Sequence, residues 1–158
     1  MTLDELLARE AIRARLAEVA QAGDSVRAEA YAACFTEDGV LQTEAVGGLG
    51  LDLGSRAEIL AWQRGLREPG KGLGQGGAIP LTFARHNLTT CKIELTGPDS
   101  ASVRIYWHVN TNIGPDHCGV YRDDFRRVGD EWLIARRRVK TEWAAQNSLM
   151  VPEGSRPA

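Results

Sequence analysis

At 158 residues the chain suits one domain with one core. Its 43% hydrophobic and 25% charged residues are ordinary for a globular protein. A net charge of −2 supplies no field for nucleic acid or acidic lipid, and the arginines at Arg126, Arg127 and Arg136 to Arg138 are interleaved with Asp123, Asp124, Asp130 and Glu131.

No run approaches the ~18 apolar residues of a membrane helix. The opening MTLDELLARE reads as an acidic helix rather than a secretory signal, so a cytoplasmic protein is expected. Cys34, Cys91 and Cys118 show no CxxC spacing, and neither they nor the three histidines cluster as a tetrahedral or facial ligand set. The expectation is therefore no bound metal.

In chain order, Thr2 and Glu5 have capping-box spacing. Leu6, Ile12, Leu16, Val19 and Ala20 then recur at helical intervals, with Gly23 as the stop signal. Asp24 or Ser25 can cap a short second helix carrying Val26, Ala30, Ala33 and Cys34. Residues 36–39, TEDG, predict a turn and residues 40–43 a short strand. A glycine-rich loop spans 47–54, and Ser55 with Glu58 opens a third helix through about Leu66. Residues 69–77, PGKGLGQGG, lack the Ser or Thr and the following helix of a phosphate loop, so a lid or a disordered stretch is expected.

The second half alternates polar and apolar residues over 81–95, 101–113, 117–128 and 131–143. The turns Gly97-Pro98-Asp99 and Gly129-Asp130 are short enough to force antiparallel pairing. Helices followed by a strand meander define an α+β class. One domain is expected over 1–145, with a loosely held tail over 146–158. Alternation puts Val103, Ile105, Trp107 and Val109 on the core face and Tyr106 and His108 outside. On the last strand it puts Leu133, Ala135, Arg137 and Val139 inside, and Trp132 and Ile134 outside. An outer face carrying Trp132, Ile134, Tyr106 and His108 calls for a partner, so a homo-oligomer is expected.

Three segments carry a family resemblance that covers roughly residues 3–143. DSVRAEAYAACFTEDGV resembles the opening of SnoaL-like domains. ARHNLTTCKIEL resembles the strand that carries the catalytic histidine in scytalone dehydratase, bile-acid dehydratase and hexachlorocyclohexane dehydrochlorinase. HCGVYRDDFRRVGDEWLIARR resembles the last hairpin of the nuclear transport factor 2-like superfamily. The resemblance implies a cone-shaped, curved antiparallel sheet wrapped by N-terminal helices, and a trimer ahead of a dimer. It also implies a cofactor-independent lyase or isomerase (dehydration, related elimination or C–C cleavage, double-bond shift) acting on a hydrophobic cyclic or aromatic molecule.

By the same resemblance His86 is the base, because imidazole as a residue type transfers protons near neutral pH. The helix-one carboxylate that orients it in relatives aligns with Gln21, one turn after Glu18, so Gln21 or Glu18 would take that role. Arg137 would stabilise developing negative charge. Trp62, Phe83, Trp107, Tyr121 and Asp123 are the candidate substrate-binding residues. Two other readings stay open: a non-catalytic binder built on the same cone, and the small subunit of a ring-hydroxylating dioxygenase.

Overall fold

The computed structural model describes residues 1–44, 50–67 and 79–157. The glycine-rich run at 69–77 and part of the 47–54 loop lie outside the described residues. Helix α1 (Leu3–Asp24) begins at the expected capping box, with Thr2 and Glu5 each satisfying the other's backbone N–H. Ile12, Leu16 and Val19 follow at helical spacing and are buried, each contributing roughly 1.5–3 kcal/mol. Leu6, by contrast, is exposed. The helix does not stop at Gly23. It continues to Asp24 and closes at Val26, whose φ of 49° reverses the chain. Gly23 serves packing instead, since a Cβ there would sit 3.3 Å from the Tyr31 ring.

Helix α2 (Ala28–Ala33) has Arg27 as N-cap and no side-chain cap. Strand β1 (Phe35–Thr43) absorbs the predicted turn as an irregularity between Phe35 and Val40, and β2 (Asp52–Leu53) pairs with it. Helix α3 (Arg56–Gly65) is capped by Ser55. Then come β3 (Ala84–Gly97), β4 (Ser100–Thr111), β5 (Gly114–Val128) and β6 (Glu131–Ala144). The sheet order is β2-β1-β6-β5-β4-β3. All pairs are antiparallel except β1 with β6, which the connecting helices α3 and strands β3–β5 separate in sequence.

Two bulges re-aim side chains against simple alternation. In β6, Phe125 pairs with Ile134 but Asp124 pairs with Arg136, so Ala135 is the extra residue. Trp132 and Ile134 therefore turn into the core, at 5% and 0% exposure, while Arg137, beyond the bulge, is also buried. This corrects the outer face expected from alternation. Of its four members only Tyr106 and His108 remain outside. In β5, Val109 pairs with His117 but Asn110 with Pro115, which leaves Asp116 as the extra residue. Asp116 and His117, although consecutive, are both buried.

The segment after Ala144, expected to be loosely held, is tied down. Ala145 N donates to Asp116 O, while Leu149 N and Ser148 Oγ donate to the Asp116 carboxylate. Val151 is buried. No helix among the described residues is long and apolar enough to cross a membrane.

Candidate functional site

A cavity of about 150 Å³ opens between the concave face of the sheet, the end of α1, α2, α3 and the C-terminal segment. An engineered cavity of that size takes up benzene, so the space suits a small ring compound. Its aromatic wall follows from the strand register. Trp107 on β4 lies opposite Gly119 on β5, where a Cβ would come within 2.8 Å of the indole and 1.9 Å of Lys140 O. With no side chain at 119, the indole lies along the sheet and stacks on Tyr121 at 5.1 Å between centroids. Tyr31 and Trp62 meet edge-on at 6.2 Å and line the opposite side. Burial pushes the Tyr31 and Tyr121 phenols above their ordinary pKa, so both stay neutral hydroxyls.

His86, at the start of β3, lines this cavity. Its Nδ1 lies 2.6 Å from Asp24 Oδ1, and its backbone N–H donates to the same carboxylate at 3.0 and 3.2 Å. A carboxylate only accepts, so Nδ1 carries the hydrogen and Nε2 is left as a lone pair. The Asp24 side chain is 8% exposed and that of His86 25%. The orienting carboxylate is therefore Asp24, three residues beyond the position expected.

Gln21 is exposed. Glu18 is exposed too and pairs with Arg15 at 2.6 Å, on the outside of α1. Neither touches His86. The reason is local: α1 runs to Asp24, whose carboxylate reaches His86. The short α2 starts without a side-chain cap because its N-cap position holds Arg27, which has no acceptor to offer.

Arg137 lines the cavity but is not a free cation. Its Nε and Nη2 grip Asp123 at 2.6–3.2 Å in a fully buried bidentate pair, and its guanidinium lies 4.4 Å over the Tyr121 ring. Burial by itself would lower the pKa of Arg137, but the Asp123 carboxylate outweighs it and holds the guanidinium protonated. Asp123 thus faces Arg137 and does not itself line the cavity. Trp62, Trp107 and Tyr121 do line it. Phe83 precedes β3 and is 44% exposed, outside the cavity lining, because the strand begins at Ala84, three residues later than the apolar pattern suggested.

The sequence placed none of Asp24, Tyr31, Gln63 and Asp116 in the site. Gln63 is buried on the cavity wall, and its Oε1 has no hydrogen-bond partner among the described residues. The Asp24 carboxylate was legible only as a cap candidate. Asp116 was hidden by the bulge, since alternation sets neighbours on opposite faces. Its carboxylate meets His117 Nδ1 at 2.7 Å. Among the described residues no three His, Cys, Asp or Glu side chains gather as a metal-ligand group.

Comparison with solved structures returns this architecture repeatedly. A protein of Novosphingobium aromaticivorans named as a candidate scytalone dehydratase is 19% identical, with 99% of this chain and 97% of that chain covered and a TM-score of 0.73. LinA is 17% identical over 99% and 97%, with a TM-score of 0.70. A nuclear transport factor 2-like protein with a cystatin-like fold, also from N. aromaticivorans, is 27% identical over 87% and 84%, at 0.69. No curated protein matches the sequence. Residues 4–138 match the family of SnoaL-like domains, and with its curved, unclosed six-stranded sheet under N-terminal helices the chain belongs to that family, within the nuclear transport factor 2-like fold.

Proposed function

We propose that the chain is a cofactor-independent lyase or isomerase acting on a small hydrophobic ring compound, with His86 as the base. The observation that carries this reading is the His86–Asp24 contact of 2.6 Å at the wall of an aromatic cavity. His86 Nε2 would take a proton from an acidic C–H of the ligand, and the C–H electron pair would become an enolate or a C=C bond. In elimination, a hydroxide leaves from the neighbouring carbon and takes the proton back from His86, so that water is lost. In isomerisation, the proton returns to another carbon. Asp24 fixes the tautomer and balances the imidazolium that forms. The Arg137–Asp123 pair is neutral overall, so Arg137 would offer the developing anion only the guanidinium end of that pair's dipole. The dehydratase name of one structural neighbour points the same way.

A non-catalytic binder on the same cone needs no carboxylate beside His86, whereas a base does. The Asp24 contact therefore favours the catalytic reading. The test is solvent exchange. The purified chain is incubated with 2-tetralone, a two-ring ketone with acidic α-hydrogens, in deuterium oxide. Deuterium incorporation above the buffer rate, lost in His86→Asn, is the expected result. A ketone that binds, as shown by calorimetry, but exchanges no faster than in buffer refutes the base.

A further inference from the structure

The cavity contains a second carboxylate-held imidazole, which the proposed proton transfer does not use. His86 and His117 flank Val109 in one row across β3, β4 and β5, since Val109 of β4 pairs with both. Their ring centroids are 6.5 Å apart with planes at 89°, and Trp107 lies 5.3 Å from His117 and 6.3 Å from His86. A 6.5 Å separation is short enough for one six-membered ring to touch both imidazoles.

Asp116 determines which nitrogen of His117 faces the ligand. Its carboxylate, fully buried, accepts from Ser148 Oγ at 2.6 Å, Leu149 N at 2.7 Å and Thr111 Oγ1 at 3.3 Å, as well as from His117 Nδ1 at 2.7 Å. Burial by itself would raise the pKa of Asp116, but the bonds from Ser148, Leu149 and His117 hold it below its ordinary value. The bond at Nδ1 therefore carries the hydrogen, and Nε2 of the neutral ring is an acceptor. Burial keeps the ring neutral, pushing the pKa of His117 below the ordinary imidazole value. The neighbouring His86 adds to this, and the Asp116 carboxylate opposes it without winning. His117 itself is 8% exposed, and among the described residues Nδ1 makes its one hydrogen bond. A lone pair on a largely apolar wall discriminates strongly between ligands that offer a donor and ligands that do not, because a ligand without one leaves it unpaired.

We propose that His117 is a specificity residue that accepts a hydrogen bond from a hydroxyl on the ring-bearing ligand, so that the ligand class is hydroxylated one- or two-ring compounds, phenols or ring alcohols. Asp116 is the positioning residue, and through Ser148 and Leu149 it joins this acceptor to the C-terminal segment, whose Met150, Val151 and Pro152 line the cavity. That such a ligand is also a substrate rests on the catalytic reading of His86. The binding preference does not, so the two fail separately.

The test compares 4-methylphenol with 4-methylanisole, which differ in offering a hydroxyl donor. Calorimetry on the full chain is expected to show 4-methylphenol binding about 10-fold tighter or more. The ¹⁵N resonance of His117 Nε2 should move with 4-methylphenol and not with the ether, which separates this contact from one to His86. His117→Phe should bind both compounds with equal affinity. Asp116→Asn lets an amide N–H face Nδ1, placing the hydrogen on Nε2 and turning the preference toward the ether. Equal affinities in the wild-type chain, or a shift confined to the His86 resonances, overturns the proposal without recourse to any variant.

Discussion

Replacing Asp24 by Asn tests the whole site with one atom changed. The amide oxygen can still accept from the His86 backbone N–H, so the β3 strand stays where it is, with about 1–2 kcal/mol of stability lost. What disappears is the charge facing the ring. An imidazolium and a carboxylate with charge centres about 4 Å apart attract by about 4 kcal/mol at an effective dielectric of ~20. His86 is 25% exposed, and solvent trims that figure, so roughly 2–4 kcal/mol of support for the protonated base is lost. This corresponds to ~30- to 1000-fold in rate, within the usual range for an acid–base partner.

The amide can also present N–H to Nδ1, which moves the ring hydrogen to Nε2 and removes the lone pair from the cavity. Two measurements check this. Deuterium exchange into 2-tetralone should fall by the stated factor, and ¹⁵N spectra should show His86 leaving its single Nδ1–H tautomer. Only three histidines are present, so their signals are separable. An Asp24→Asn chain that exchanges within twofold of wild type and keeps one His86 tautomer refutes the reasoning.

Glu18→Gln should leave exchange within twofold, because Glu18 pairs with Arg15 outside the cavity; a loss beyond tenfold would return the orienting role to Glu18. Asp123→Asn should destabilise by about 3–5 kcal/mol by stranding the buried Arg137 charge, whereas Asp123→Leu combined with Arg137→Met should cost less than the single change, as urea midpoints would show. Stability should also fall on acidification through the imidazole range. His117 binds its proton less tightly folded than unfolded, so its contribution is full above the ordinary value near ~6.5 and is lost as pH falls toward the lower folded value. Urea midpoints at pH 7.5 and 5.5 should differ in the wild type, and by less in His117→Asn. A sheet face keeping Tyr106 and His108 exposed is the remaining support from the residues for a homo-oligomer, and light scattering that returns a monomer at micromolar concentration would end that proposal.

What could be read from the chain alone follows from periodicities. The capping box at Thr2 and Glu5, the buried stripe Ile12, Leu16 and Val19, the four alternating strands and their short turns are local signals, and each element formed near its predicted limits. The motifs they carry identified the SnoaL-like family, and it was that resemblance, not the strand pattern, that pointed to His86, Trp107 and Tyr121, all of which line the cavity. Local signals fail where one residue is inserted against a partner strand. Ala135 and Asp116 are such insertions, and a bulge exists only in the pairing of two strands. They decided that Trp132 and Ile134 turn inward and that Asp116 meets His117. Asp24 shows the same limit in another form. Its type and position satisfy a helix-cap rule, yet its carboxylate goes to a backbone N–H and a ring 62 residues away. Only the packing of α1 across β3 brings those two donors to one carboxylate, while the N-cap position of α2 falls three residues further on, at Arg27.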